Sequence, residues 1–353
     1  MSRLGVGVIG VGSIADMHLA AYAANDDVRL AGVYDINPDR GVQKAAAFDV
    51  SRVHPSLASL LADPDIDAVS VCTWNDSHAE IATAALDAGK HVLVEKPLSR
   101  TVSEAEALVE AVERTGRHLE VGFVRRFGAN ARVLKSFIDA DMLGEVYHAR
   151  ATNIRRLGNP GGWFADHKRS GGGPLIDIGV HVLDLCWYFM GAPRAVTVSA
   201  ATHARLGNRS NVTSLSRYKV ADYDPTASDV EDFAAALIRF DNGATLSVET
   251  SYSLHALEDR LEVAVFGERG GAELEPQLRI ATEMLDTVVN LAPQIDHLTF
   301  DFAEGFANEI NHFVALCLGE AEQVAPASHG VEVMRILGGI YESARTGREI
   351  RVG

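Results

Sequence analysis

A short apolar run at residues 4–9 passes directly into Gly10-Val11-Gly12-Ser13-Ile14-Ala15, and a helical pattern follows through residue 24. The order strand, tight turn, helix leaves little freedom in what the first part of the chain folds into. In such a turn the first glycine reverses the backbone, the second lets a pyrophosphate approach the main chain, and the third small residue, here Ala15, lets the helix pack closely. The amides around Gly12, Ser13 and Ile14 then lie at the positive end of the helix, where phosphate binds. A second run at residues 28–34 ends on Asp35, placed where a carboxylate accepts from both ribose hydroxyls of an adenosine. Asp35 favours NAD, because a 2′-phosphate there meets like charge. Arg40 is close enough in sequence to soften that preference and keep NADP open.

Strand and helix patterns alternate to about residue 122, the sequence form of a parallel sheet covered on both faces. Residues 68–72, 91–94 and 118–121 read as strands; residues 77–88 and 103–115 read as helices stopped by Gly89 and Gly116. Six strands complete a Rossmann dinucleotide-binding domain over residues 1–122. Beyond Gly122, longer alternating strands are expected at 145–153, 195–203, 232–240, 244–252 and 261–266, with Asp241-Asn242-Gly243 as a hairpin turn. They predict a second α/β domain, residues 123–353, built on an open, mainly antiparallel sheet. Helical stretches at 306–318 and 330–346 pack against that sheet or return to the first domain, and the polar stretch 207–226 reads as a mobile loop or lid.

Between the second domain's first two strands lies Ser170-Gly-Gly-Gly-Pro-Leu-Ile-Asp-Ile-Gly-Val-His-Val-Leu-Asp184. On a helix, Asp177, His181 and Asp184 recur at i, i+4 and i+7, so carboxylate and imidazole share one face. The flanking Leu175, Ile176, Ile178, Val180, Val182, Leu183 and Leu185 predict a buried helix, and buried ionisable groups need partners or a chemical role.

A net charge of −16 argues against a nucleic-acid or anionic-membrane partner. No apolar run approaches the ~20 residues of a membrane span, and the strand-turn-helix unit begins at once, leaving no room for a secretory signal. The three cysteines, Cys72, Cys186 and Cys317, lie in apolar segments without metal-ligand spacing, as reduced core thiols do. A cytoplasmic protein without a metal site is expected.

After the strand at 91–94 come Glu95-Lys96-Pro97, at the carboxyl edge where ligands bind in open α/β sheets. A lysine there reaches the nicotinamide end of a bound dinucleotide and a substrate oxygen, or is simply a solvated strand end. The Lys96–Pro97 bond is expected to be cis.

Taken together, Gly10-x-Gly12-x-x-Ala15, Asp35, Glu95-Lys96-Pro97 and Gly171-Gly-Gly-x-Leu-x-Asp177-x-Gly-x-His181-x-x-Asp184 resemble the Gfo/Idh/MocA family of nicotinamide-dependent oxidoreductases. The resemblance runs essentially end to end, and takes in Thr73-Trp-Asn75, His78, Arg125-Arg126-Phe127 and the closing Glu342-Ser-Ala-Arg-Thr-Gly-Arg348. It implies a catalytic Lys96, Asp177 and His181, and a cofactor site that includes Thr73, Asn75, His78, Glu95 and Arg126. It also implies sugars, sugar acids or cyclitols as substrates, and an open second-domain sheet through which a dimer or tetramer forms.

Oxidation of a secondary alcohol needs a base for the hydroxyl proton as the hydride leaves, and His181 suits that task near neutral pH. Lys96 would stabilise the developing negative charge on the same oxygen. Asp177 would bind a neighbouring hydroxyl or orient the imidazole. Asn153, Arg155 and Arg156, with Trp163 on the following glycine-rich loop, are substrate candidates, or else surface arginines and a core tryptophan. Tyr252 and His255 are weaker candidates, and Ser77 is a candidate N-cap for the helix that His78 begins. Two other readings stay open: a glycosidase using NAD transiently, and a noncatalytic sugar- or nucleotide-sensing regulator.

Overall fold

All six residues of β1 (Leu4–Ile9) are buried, as a central strand of a doubly covered parallel sheet requires. It pairs in parallel with β2 (Val28–Tyr34) on one side and β3 (Ala68–Val71) on the other, and β4 (His91–Glu95) and β5 (Leu119–Gly122) complete the order β2-β1-β3-β4-β5. The helices here are α1 (Ala15–Ala23), α2 (Pro38–Ala47), α3 (Leu57–Leu61), α4 (His78–Asp87) and α5 (Val102–Thr115). Local chemistry sets their ends. Asn37 accepts from the Asp39 and Arg40 amides to start α2, while Thr101 and Glu104 form a reciprocal capping box on α5, which stops at Gly116 with φ 64°. The sheet has five strands, not the six expected. Beside β2 the chain adds only an isolated parallel bridge, Val33 to Val53.

The structure, a computed structural model, describes residues 3–207, 209, 211, 212, 214 and 228–352. Most of the stretch expected to be a loop or lid, 207–226, lies outside the described residues. After α6 (Ala129–Asp139) come β6 (Val146–Ile154), α7 (His167–Ser170), a π-helical turn Leu175–Gly179 and α8 (Val180–Phe189). The strands β7 (Ala195–His203), β8 (Phe233–Phe240), β9 (Thr245–Ser251) and β10 (Arg260–Gly267) follow, then β11 (Gly270–Glu275), β12 (Arg279–Met284) and β13 (Thr287–Leu291). With β14 (Ile350–Arg351) they form a nine-stranded sheet, β13-β12-β11-β10-β6-β9-β8-β7-β14. Every described neighbour pair is antiparallel except β6–β9. One face of this sheet is covered by α8, whose side chains are buried except for half-buried His181 and Tyr188.

The last helices are α9 (Phe302–Cys317) and α10 (Ala327–Thr346). The chain forms two compact units, one of Met1–Phe127 with Phe302–Val331 and the other of Gly128–Asp301 with Glu332–Gly353. In the first, Ile310, Phe313 and Val314 of α9 join Leu19 and Tyr22 of α1 and the β1 side chains in one core. No helix among the described residues is long and apolar enough to cross a membrane.

Candidate active site

In the first unit, Gly10 has φ 78°, and a Cβ there would lie 2.7 Å from Thr73 Cγ2. At Gly12 a Cβ would meet nothing within 4 Å. This is open space over the main chain, and the N-terminus of α1 carries no side-chain cap. Backbone amides at a helix start with room above them fit a pyrophosphate. Ser13 is exposed and Ile14 half-buried at that edge. Asp35 follows β2 directly; its Oδ2 accepts from the Val11 amide at 2.8 Å and its Oδ1 from the Asn37 amide at 2.8 Å. One carboxylate therefore holds the glycine turn in shape and keeps lone pairs for a ribose. Arg40 Nη1 stands 3.6 Å from Oδ1, and the apolar Ile36 is 71 % exposed beside it. These residues fit a dinucleotide.

Half-buried Lys96 leaves the carboxyl end of β4, and the Lys96–Pro97 peptide is cis. Glu95 turns into the unit, where its Oε1 lies 2.9 Å from His18 Nε2. His78 is 1 % exposed, with Nδ1 2.8 Å from the Pro97 carbonyl and Nε2 3.2 Å from the Thr73 carbonyl; burial pushes its pKa down. The expected N-cap role of Ser77 is not what the structure shows: its hydroxyl donates to Thr73 Oγ1 and the Trp74 carbonyl, because the 3₁₀ turn Asn75–Ser77 precedes α4. Asn75 is buried and Thr73 half-buried on this turn. Arg126 is 3 % exposed, with Nη1 donating to the Val324 carbonyl and to His329 Nδ1.

In the second unit, Asp177 sits on the π turn and His181 in the first turn of α8. The regular i, i+4 helix expected there is interrupted, since π turns insert an extra residue and cluster at functional sites. The turn has identifiable supports. Glu231 accepts from the Gly173 and Leu175 amides and from the Tyr341 hydroxyl, and Thr250 Oγ1 donates to the Pro174 carbonyl. Desolvation raises the Glu231 pKa, and these donors oppose that rise. A Cβ on Gly172 would lie 2.0 Å from the Tyr341 hydroxyl, so only glycine lets the chain pass. Asn153 Nδ2 donates to the Ile178 carbonyl at 3.3 Å, bracing the turn from β6.

The fully buried Tyr252 donates its hydroxyl to Asp177 Oδ2 at 2.6 Å. Burial, then the Asp177 charge, raises the phenol's pKa well above its usual value, so it stays a donor. Arg155 Nη1 donates to the Gly158 carbonyl, and the backbone amide of half-buried Arg156 donates to Asp259. Trp163 stacks on Phe164 with centroids 3.9 Å apart. His255 is exposed, and Asp184 is 1 % exposed. Among the described residues no group of three His, Cys, Asp or Glu is arranged to hold a metal ion. Sequence reasoning missed Glu231, Thr250 and Tyr341 and underweighted Tyr252.

A glycine turn with an acidic residue after the second strand of a parallel sheet, followed by a separate sheet domain carrying a carboxylate and an imidazole, defines an NAD-binding oxidoreductase architecture. Residues 4–123 match the model of the oxidoreductase family with an NAD-binding Rossmann fold, and residues 131–273 match the Gfo/Idh/MocA C-terminal domain. The chain belongs to the Gfo/Idh/MocA family of oxidoreductases. It is 31 % identical to D-glucoside 3-dehydrogenase of Escherichia coli (strain K12) over 99 % of this chain and 98 % of that one. It is 30 % identical to levoglucosan dehydrogenase of Pseudarthrobacter phenanthrenivorans, covering 76 % and 73 %. The solved structure of levoglucosan dehydrogenase with NADH and levoglucosan superimposes with a TM-score of 0.85 at 26 % identity, covering 99 % of this chain and all of that one.

Proposed function

We propose that this protein is an NAD-dependent dehydrogenase that oxidises, or in reverse forms, a secondary alcohol of a sugar, sugar derivative or cyclitol. The observation that carries the reading is the Asp177–His181 segment, which runs from the π turn into α8, with Asp177 held by the buried hydroxyl of Tyr252. Relatives named D-glucoside 3-dehydrogenase, levoglucosan dehydrogenase and myo-inositol 2-dehydrogenase support the substrate class.

Gly10, Gly12, Ser13, Ile14 and Asp35 would hold the dinucleotide's phosphates and adenosine ribose, with Thr73, Asn75 and Lys96 toward its other end. When bound, its nicotinamide supplies the hydride acceptor. His181 takes the hydroxyl proton in oxidation and returns it in reduction. Lys96 stabilises negative charge developing on the same oxygen, and Asp177 accepts from a neighbouring hydroxyl. Asn153, Arg155, Arg156 and Trp163 complete the substrate side of the reading. His78, Glu95 and Arg126 are assigned to holding loops, on the strength of their burial and internal bonds. Assembly into a dimer or tetramer through the nine-stranded sheet, in the cytoplasm, belongs to the same reading.

A panel of cyclitols, aldoses, glycosides and sugar acids with NAD and with NADP, read by absorbance of reduced nicotinamide, tests this. Oxidation of at least one polyol, faster with NAD, is expected. Cleavage of a glycoside without net reduced cofactor, or tight binding with no turnover across the panel, would replace the dehydrogenase reading.

A further inference from the structure

Two buried imidazoles grip the residues on either side of Lys96. On one side, Glu95 Oε1 lies 2.9 Å from His18 Nε2; on the other, the Pro97 carbonyl lies 2.8 Å from His78 Nδ1. His18 is completely buried, and His78 is 1 % exposed. Neither ring is a surface histidine that happens to touch the turn.

The His18 contact belongs to a longer chain. His18 Nδ1 is 3.2 Å from Ser70 Oγ, which is 2.8 Å from the Tyr22 hydroxyl. One assignment satisfies these members: Tyr22 donates to Ser70, Ser70 to His18 Nδ1, and His18 Nε2 donates to Glu95. Burial raises the Tyr22 pKa well above normal, against the opposing pull of the bond to Ser70, so it remains a donor. Phe306 of α9 closes over the His18 ring, with centroids 5.6 Å apart. A fully satisfied polar network inside a core has one low-energy geometry, and breaking one link leaves buried groups unpaired. The two histidines come from different helices: His18 lies on α1, whose start is the phosphate-binding turn, and His78 opens α4. The Glu95-Lys96-Pro97 turn is thereby fixed to both elements that border the dinucleotide position.

We propose that His18 and His78 are positioning residues for Lys96, which set the direction of its side chain through Glu95 and Pro97. The inference rests on the proposed role of Lys96 at the reacting oxygen. Displacing a catalytic group by about 1 Å costs on the order of a hundredfold in rate, so a loss of about tenfold or more in kcat is expected for His18→Leu, with the Kd for NADH within about threefold of the parent.

The decisive readout does not use turnover. In protein without cofactor, carbamylation of Lys96 by cyanate, followed by peptide mapping, is measured against the exposed Lys168 as internal reference. His18→Leu and His78→Leu are expected to change the Lys96 rate by about threefold or more, and His18→Gln, whose amide can still donate to Glu95, to restore most of both labelling and kcat. Parent-like kcat and parent-like Lys96 labelling in the leucine variants would overturn the inference. If those variants fail to fold, Glu95→Gln weakens the same link without removing volume, and parent-like values there have the same meaning. Lys96→Met separates the two levels: retained activity removes the underlying reading of Lys96, whereas lost activity beside silent histidine variants removes only the positioning role.

Discussion

The Tyr252 hydroxyl and the Asp177 carboxylate meet at 2.6 Å although 75 residues separate them in sequence. The phenol is buried and acts as a donor here, so one oxygen of Asp177 is directed by the residue that follows β9. Asp177 is oriented by a residue outside its own helix.

Removing that hydroxyl tests whether the orientation matters. A hydrogen bond to a charged group contributes about 1.5–3 kcal/mol, so Tyr252→Phe is expected to lower kcat/KM by roughly 10- to 100-fold while NADH binding stays at the parent value. Steady-state kinetics with fluorescence titration of NADH separates the two, and a parent-like kcat/KM would show that Asp177 does not depend on Tyr252.

His181→Ala should act on a different step. Loss of a general base costs about 10²- to 10⁴-fold in turnover, and NADH affinity should not follow. Because His181 is only half-buried at the start of α8, the truncation is expected to leave the thermal midpoint within a few degrees of the parent. Unchanged turnover would remove His181 as the base.

Asp35 holds two things at once, the Val11 amide and the proposed ribose. Asp35→Ala should therefore weaken NAD by about 10- to 100-fold, more than loss of ribose contacts alone, whereas Asp35→Asn keeps an oxygen for Val11 and should fall between. In both variants Arg40 loses its carboxylate partner, and the ratio of NADP to NAD efficiency should rise. Calorimetric titration with each cofactor checks it; unchanged NAD affinity in Asp35→Ala would exclude Asp35 from the site.

What was legible in the chain was what local pattern encodes. The strands of the first sheet read as apolar runs because both their faces are buried, and the Asp241-Asn242-Gly243 hairpin joins β8 to β9 in an antiparallel pair as its turn residues predict. The π turn was not legible, because an i, i+4 pattern reads the same whether or not one turn is widened. Glu231 reaches Gly173 across 58 residues and His18 reaches Glu95 across 77, and nothing in the spacing announces either contact. The strands β11, β12 and β13 escaped because their connections lack a hairpin dipeptide: Leu285 and Asp286 make the last turn with positive φ on residues that carry no turn signature as a pair.

A final consequence concerns pH. Glu120 on β5 is fully buried, its Oε1 accepting from the Val324 and Ala325 amides of the segment that returns to the first unit. Desolvation pushes its pKa up from 4.5 to about 7, against the opposing pull of those amides, Gln323 and Arg126. The folded chain therefore holds the Glu120 proton over a window, from about 4.5 to about 7, in which the unfolded chain has released it. Stability contributed at this position is present below the lower value and is lost as pH rises through the upper one, by at most about 3 kcal/mol. Glu120→Gln cannot ionise and should lose that slope: relative to the parent it should gain stability between pH 5 and pH 8, by roughly 1–3 kcal/mol. Urea unfolding at the two pH values measures the difference directly. Parallel stability curves for the parent and Glu120→Gln would mean that Glu120 is ionised throughout the window, with the return segment held by a carboxylate rather than by a neutral acid.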